Sequence, residues 1–297
     1  ALGPDAPIDP GKRPHFVNVP WHDLMDRVTL IRSYFTRWPS IEGLLNRQLS
    51  FDPHPLYPKY EVTTQLSDPF YKASDAIFGI LHDFVNPNAQ PDTAEESGAY
   101  ADIALPQSAF LRHMHAAYRV TLAQQLGRPA RFLDVGCGGG LKVLSAAQYF
   151  RPAEGLDFVP EYVAAAQNVL NKTRQTNTQI FEADALTFEG YDQYDVIYFY
   201  RPLRDTEKMH QLEERIVTSA RPDALLVAAY DFFDDRYAEL GCGLVDGQVY
   251  LAQGTADAGA ALRRKAEHIG LVLPQFGPDQ VSIWSPIEQS LRSNAIV

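Results

Sequence analysis

The sequence has 297 residues, of which 45% are hydrophobic and 21% are charged, so disorder of the whole chain is excluded. Its length suits one catalytic core with an appended region, because single cores usually stop growing at about 250 to 300 residues. The formal net charge of -11, with no evident basic patch, disfavours a nucleic-acid partner.

The first third of the chain predicts an appended region that is mainly helical. Prolines are frequent in residues 1–20, which predicts an extended arm. In residues 21–110, apolar residues recur at helical spacing between proline-rich interruptions, and one predicted helix passes through Ile77, Leu81 and Phe84. We expect this region to cap the active site or to mediate dimerisation, so a homodimer formed through it is an expected assembly.

Residues 111–297 are expected to form the catalytic domain. After a helix predicted over 107–126, short apolar runs alternate with helical stretches, which is typical of βαβ units on a parallel sheet. The sequence therefore predicts a three-layer α/β fold with a mostly parallel seven-stranded sheet. The predicted strands are 131–135, 153–157, 178–183, 194–199, 224–230, 271–275 and 281–284. The predicted helices between them are 140–150, 160–172, 205–219 and 257–269.

The strongest chemical signal lies at the end of the first predicted strand, where an apolar run enters a glycine-rich turn before a helix. Gly136, Gly138 and Gly140 allow the backbone to approach a ligand closely, at positions where a Cβ would clash. A dinucleotide-binding pattern that starts at Gly136 requires a small residue at position 141, which is Leu141. The spacing therefore disfavours a nicotinamide-dependent oxidoreductase, which is the second enzyme class considered.

The spacing Asp134-x-Gly136-x-Gly138-x-Gly140 resembles the first motif of class I S-adenosylmethionine-dependent methyltransferases. The resemblance covers about residues 130–285 and implies a Rossmann-like domain with S-adenosylmethionine as its cofactor. Residues 275–284 are similar to the antiparallel hairpin that closes the sheet in this family. In the glycine motif, the resemblance implies cofactor contacts by Asp134, Gly136, Cys137, Gly138 and Gly140.

Two further segments, after the second and third predicted strands, extend the resemblance. Asp157 ends the second strand, where a carboxylate can accept the hydroxyl protons of a ribose; capping of the following helix is the alternative. Phe158 is expected to lie either against the adenine or in the core. The resemblance assigns Asp184 and Ala185 to the adenine, with an ordinary polar turn as the alternative.

The acceptor side of the site is expected beside the end of the fourth predicted strand, where Tyr200 and Arg201 follow. Tyr200 is predicted to contact the cofactor as well. Arg201 is predicted to hold an acceptor carboxylate, with an ion pair to Asp205 as the alternative. His113, on the helix before the sheet, is the third candidate for catalysis, with a packing role as its alternative. The histidines show no metal-ligand spacing, so no metal is expected.

Together these patterns predict methyl transfer from S-adenosylmethionine to an O, N or C atom of a small-molecule acceptor, such as a natural-product intermediate. The alternatives are methylation of a protein side chain and a non-catalytic scaffold that binds the cofactor. The sequence lacks an apolar run of about 18 residues and a basic-then-apolar start, so we expect a cytoplasmic protein with no membrane partner. Cys137 and Cys242 do not form a disulfide framework, which agrees with a reducing compartment.

Overall fold

The computed structural model describes residues 53–57, 69–85, 98–99, 105–173 and 176–269. The predicted arm at 1–20 and the predicted strands at 271–275 and 281–284 lie outside these ranges, as does most of the predicted helical region before residue 69. Across the described ranges, no helix combines the length and the apolar character that crossing a membrane requires.

The described residues form six α-helices and seven β-strands. The strands are β1 (Phe132–Val135), β2 (Ala153–Asp157), β3 (Thr178–Glu182), β4 (Val196–Phe199), β5 (Leu225–Ala228), β6 (Gly243–Asp246) and β7 (Val249–Leu251). The helices are α1 (Pro69–Val85), α2 (Gln107–Gln124), α3 (Leu141–Ala146), α4 (Pro160–Thr173), α5 (Thr206–Ser219) and α6 (Ala256–Glu267). Short 3-10 helices follow β3, at Tyr191–Gln193, and β5, at Asp231–Asp235. The helices predicted in the catalytic domain are present, and α3 is shorter than predicted.

The seven strands form one sheet in the order β3-β2-β1-β4-β5-β7-β6. β1 pairs in parallel with both β2 and β4, and β3 and β5 extend the parallel part on either side. β7 runs antiparallel between β5 and β6. The mostly parallel seven-stranded α/β fold is thus confirmed. Because the strand order reverses between β1 and β4, a crevice is expected at the carboxyl ends of these two strands.

The last two strands of the sheet are not the predicted ones. β6 and β7 lie within residues 243–251, where sequence analysis placed no strand. They are four and three residues long, which is too short for a clear alternating pattern. Their turn contains Asp246 and Gly247, the latter with a φ of 52°, and an Asp-Gly pair is itself a hairpin signal. The sheet therefore reaches seven strands without residues 271–284.

Alternate residues of the buried strands belong to two hydrophobic clusters, one on each side of the sheet. In β1, Phe132 joins a cluster with residues of α2, α3 and α4, whereas Leu133 joins a cluster with residues of α5. This arrangement gives the three layers that were predicted. Leu56 and Phe78 are buried in the first cluster, so the described N-terminal residues share the hydrophobic core on that side of the sheet.

Arg119 of α2 joins the segment 53–57 to the end of α6. Its guanidinium donates hydrogen bonds to the backbone oxygens of His54 at 2.6 Å, Pro55 at 3.0 Å and Ala266 at 3.2 Å. The amide of His54 also donates to the backbone oxygen of Glu267 at 2.8 Å. Carbonyl groups at the end of a helix lack partners within the helix, so a cation placed there stabilises it. The segment is thereby fastened to the last described helix.

Candidate active site

A cavity of about 910 Å³ opens at the carboxyl ends of the parallel strands. Its volume is usual for a small-molecule site, and its position is where ligands bind in open α/β sheets. Arg201, which was predicted to contact the acceptor, lies in the cavity wall. The wall also contains every residue that was predicted to bind the cofactor, namely Asp134, Gly136, Cys137, Gly138, Gly140, Asp157, Phe158, Asp184, Ala185 and Tyr200.

The glycine loop, residues 136–140, joins β1 to α3 and needs glycine for two reasons. Gly136 and Gly140 both have a φ of 76°, a backbone conformation that residues with a side chain rarely adopt. A Cβ on Gly136 would also lie 2.6 Å from the Cβ of Pro202, and a Cβ on Gly140 would lie 2.8 Å from that of Ala166. The loop therefore fits closely between the segment after β4 and helix α4, with its backbone exposed to the cavity.

Replacing Gly136 with alanine should destabilise the fold by about 2 to 3 kcal/mol in urea titrations, because strain and a steric clash add together. Gly127 provides a matched control. Its φ is 70°, but a Cβ there would meet no atom of the described chain within 4 Å. Gly127→Ala should therefore cost only the conformational part, about 1 kcal/mol. Equal losses in the two variants would contradict the close contact with Pro202.

Asp157, at the end of β2, is buried and holds the glycine loop in place. One carboxylate oxygen accepts a hydrogen bond from the amide of Gly138 at 2.9 Å, and the other accepts one from the amide of Val159 at 2.9 Å. The second bond orders the entry to α4, as expected of a capping residue. A carboxylate accepts hydrogen bonds from backbone amides and from hydroxyl groups alike. The two predicted roles are therefore compatible.

The loop after β3 supplies the next part of the wall. The carboxylate of Asp184 accepts a hydrogen bond from the amide of Leu186 at 2.9 Å, and the hydroxyl of Tyr191 donates to the backbone oxygen of Ala185 at 2.8 Å. These bonds fix the turn that carries both predicted adenine contacts. Phe158 is 51% exposed, which excludes the core role that was its alternative.

The loops after β4 and β5 bring a cation and an aromatic ring together. The guanidinium carbon of Arg201 lies 5.0 Å from the ring centre of Phe232, which is a cation–π distance. Phe232 is 60% exposed, so the pair lies where the cavity meets solvent. Asp205, the predicted alternative partner of Arg201, caps α5 by accepting a hydrogen bond from the amide of Lys208 at 2.8 Å.

The sequence from β1 to just before β5, residues 132–223, matches the family model of a methyltransferase domain. This range includes the glycine loop, Asp157, Asp184 and Arg201. These residues therefore lie in a methyltransferase domain. This match agrees with the methyltransferase family that the glycine motif predicted. A comparison with curated proteins finds no significant match.

Solved methyltransferase structures resemble this chain at low identity. The magnesium protoporphyrin IX methyltransferase of Synechocystis, solved with bound SAM, is 14% identical over 61% of this chain and 93% of its own, with a TM-score of 0.38. The amino pentose methyltransferase CalS10 of Micromonospora echinaspora, also SAM-bound, is 22% identical over 49% of this chain and 58% of its own, with a TM-score of 0.34. PKMT2 of Rickettsia typhi, in complex with AdoHcy, is 20% identical over 38% of this chain and only 24% of its own, with a TM-score of 0.32. None of these similarities assigns an acceptor to this chain.

His113, the third predicted catalytic residue, does not line the methyltransferase cavity. It is 8% exposed on α2, and its Nδ1 shares a hydrogen bond of 2.9 Å with the hydroxyl of Tyr57. Burial, together with the positive charge of Arg112, lowers the pKa of His113 to about 4. This position corresponds to the packing role that was its alternative.

The pKa of His113 predicts that stability falls as the solution becomes acidic. In the folded state this pKa is about 4, whereas an exposed histidine has 6.5, so the unfolded state binds more protons between these values. The contribution is therefore complete above pH 6.5 and is lost toward pH 4, by about 3 kcal/mol. In urea titrations across this range, His113→Gln should show a flatter profile than the wild type, and exposed His268→Gln should not. Identical slopes for the two variants would disprove the assignment.

Helix α1, in the region expected to cap the active site or to mediate dimerisation, supplies four residues of the cavity wall that the sequence did not single out. Asp75, Phe78, Gly79 and His82 line the cavity and are spaced so that they share one helix face. The apolar residues of this helix do not all mark its buried face, since Phe84 is 84% exposed. In the sequence, the signal for this face of the helix is the presence of the polar residues Asp75 and His82 on either side of Gly79. No group of three or more His, Cys, Asp or Glu side chains in the described ranges is arranged to hold a metal ion.

Two contacts fasten α1 to the start of α2 and to α3. The carboxylate of Asp75 accepts hydrogen bonds from both the amide and the hydroxyl of Ser108, each at 2.7 Å. The ammonium of Lys142, in α3, donates to the backbone oxygen of Leu105 at 2.7 Å and lies 5.5 Å from the ring centre of Phe78. Helix α1, the start of α2 and the helix after the glycine loop therefore form one connected wall.

Proposed function

We propose that the protein transfers the methyl group of S-adenosylmethionine to a small-molecule acceptor that has an apolar body and an anionic group. The observation that carries this proposal is the cation–π contact between Arg201 and Phe232 at the mouth of the cavity. This pair offers a flat apolar surface and a positive charge beside the end of β4. Phe158, which is also exposed in the wall, adds to the apolar surface of the mouth.

The residues of the wall fit the cofactor. Asp157 is proposed to accept the ribose hydroxyls, because its carboxylate lies in the cavity wall at the end of β2, beside the glycine loop. Asp184 and the backbone of Ala185 are proposed to bind the adenine, and Phe158 to lie against its face. The glycine loop leaves its backbone open to the methionine part. When bound, S-adenosylmethionine supplies an activated methyl group, which a nucleophile takes with release of S-adenosylhomocysteine.

The acceptor is proposed to bind through Arg201. The guanidinium of Arg201 lies over the ring of Phe232 at a cation–π distance, and the N–H groups of a guanidinium lie at the edge of its plane. An edge of this kind binds a carboxylate through two parallel hydrogen bonds. The aromatic body of an acceptor would then pack against the exposed rings of the mouth. In such a site the protein acts chiefly by alignment and by exclusion of water.

A small acceptor agrees with the shape and charge of the molecule. The cavity of about 910 Å³ is near the upper end of the usual range for ligand pockets, so it has space for a cofactor and a small partner. The net charge of -11 opposes polyanionic substrates, while Arg201 provides a local cation for a single anionic group.

The experiment begins with calorimetric titration by S-adenosylmethionine, S-adenosylhomocysteine and, as a control, a nicotinamide dinucleotide. Aromatic carboxylic acids that also carry a hydroxyl or amino group, as the methyl acceptor, are then screened with their neutral methyl esters for release of S-adenosylhomocysteine. We expect turnover with acids, and an approximately tenfold or greater loss of kcat/KM in Arg201→Met that is confined to the acids. Arg204→Met, in the same loop but outside the cavity wall, is the matched control.

Three outcomes would contradict the proposal. A lack of binding of both S-adenosyl ligands would reject the cofactor site. Turnover with peptides but with no small molecule would favour methylation of a protein side chain. Tight cofactor binding without turnover of any acceptor class would favour a scaffold that does not catalyse methyl transfer.

A further inference from the structure

Gly79 lies in the interior of α1, where glycine is the least favourable residue after proline. A steric clash is one reason for glycine, as at Gly136 in the loop after β1. At Gly79, however, an added Cβ would have no atom of the described chain within 4 Å, apart from the backbone of its own helix and its two chain neighbours. Its φ is not in the left-handed region, so alanine would fit the backbone. The described protein therefore gives no internal reason for glycine.

The cavity offers an external reason. Gly79 lines the cavity between Phe78 and His82, on the face of α1 that also carries Asp75. A glycine at this point exposes the helix backbone and lets a flat molecule approach more closely than any side chain would allow. Phe78 is 7% exposed and lies beside Lys142, so the cavity wall next to Gly79 is held in place.

We propose that Gly79 determines the size of the acceptor by leaving room for its apolar body against α1. This inference rests on the proposed function, since it assigns a position to the acceptor of that reaction. It makes Gly79 a specificity-determining residue that contacts the acceptor and does not bind the cofactor. Larger side chains at this position would shorten the acceptor part of the cavity.

The test uses the full chain saturated with S-adenosylhomocysteine, with anilinonaphthalene sulfonate as the probe, because this dye combines aromatic rings with an anionic group. Dye fluorescence, calorimetric affinity for S-adenosylhomocysteine and Tm are measured for the wild type, Gly79→Ala and Gly79→Leu. Ala76→Leu is the matched control, because Ala76 is exposed on the same helix and lies outside the cavity wall.

We expect Gly79→Leu to weaken dye binding about tenfold or more, because a bulky side chain in a site excludes its ligand. S-Adenosylhomocysteine affinity should stay within about twofold of the wild type in every variant. Gly79→Ala should raise the Tm by about 2 °C, because alanine is the better helix former. Ala76→Leu should leave both ligands unaffected.

Four results would overturn the inference. A marked fall in Tm for Gly79→Leu would show that another part of the chain fills this space. A large loss of S-adenosylhomocysteine affinity would place Gly79 in the cofactor part of the cavity. Unchanged dye binding by Gly79→Leu, or no saturable dye binding by the wild type, would show that the acceptor does not lie there. If the wild type fails to bind S-adenosylhomocysteine at all, the proposed function fails instead.

Discussion

Replacing Asp157 with alanine should weaken S-adenosylmethionine binding by about 10- to 100-fold, the loss expected for charge-assisted hydrogen bonds worth about 1.5 to 3 kcal/mol. The carboxylate has two tasks, since it holds the amides of Gly138 and Val159 and is proposed to accept the ribose hydroxyls. Removing it releases the glycine loop from β2 and leaves buried amides without an acceptor. Calorimetric titration with S-adenosylmethionine and S-adenosylhomocysteine measures the effect.

Two further variants separate charge from shape. Asp157→Asn keeps the size of the side chain but turns an NH₂ group toward a backbone N–H, so it should also bind the cofactor more weakly. Glu161→Ala removes an exposed carboxylate from the first turn of α4 and should leave the affinity for the cofactor unchanged. An affinity for Asp157→Ala equal to that of the wild type would disprove the placement of the ribose.

The second large effect is expected at Asp195, just before β4, where alanine should lower the unfolding free energy by about 3 kcal/mol or more. Asp195 is fully buried and accepts two hydrogen bonds from Arg128, at 2.6 and 3.0 Å. It also accepts one from the backbone amide of Arg131 at 2.7 Å, and it forms an ion pair with Arg221. These contacts join β1, β4 and the segment before β5, so the loss of the carboxylate removes the acceptor that the backbone amide of Arg131 and two partly exposed guanidinium groups share.

The pKa of Asp195 sets the conditions of this measurement. Burial alone would raise it, but the hydrogen bonds from Arg128 and Arg131 and the charge of Arg221 hold it below its usual value. A depressed carboxyl pKa gives stability that is present above the unfolded value of about 4 and is lost only as the pH falls further. The effect should therefore be complete at pH 7. Urea titrations of Asp195→Ala and of the exposed control Asp192→Ala test it, and similar losses in both would contradict the network.

The first five strands and the cofactor wall could be predicted because their signals are local. An apolar run followed by Gly136, Gly138 and Gly140 specifies a strand, a turn and a helix within a few residues. Asp157 and Asp184 follow strands in the same way, so their positions at one edge of the sheet follow from parallel topology. The strand order then brings together residues that are far apart in sequence.

The remaining features depend on contacts that the sequence pattern does not show. β6 and β7 are too short for periodicity to register, and their pairing depends on the edge that β5 offers. His113 and His82 look alike in the sequence, yet tertiary packing turns the first toward Tyr57 and leaves the second in the cavity wall. The apolar residues of α1 predicted the helix, but they did not predict which face meets the active site.

The attachment of α1 also has a kinetic consequence. Moving this helix away would break both hydrogen bonds between Asp75 and Ser108 and separate Phe78 from Lys142. Entry of reactants and departure of products should therefore follow a different route. Phe158 and Phe232 are the exposed rings of the cavity wall, and rotation of exposed side chains takes only nanoseconds. Reactants and products would then pass beside these two rings while α1 keeps its place.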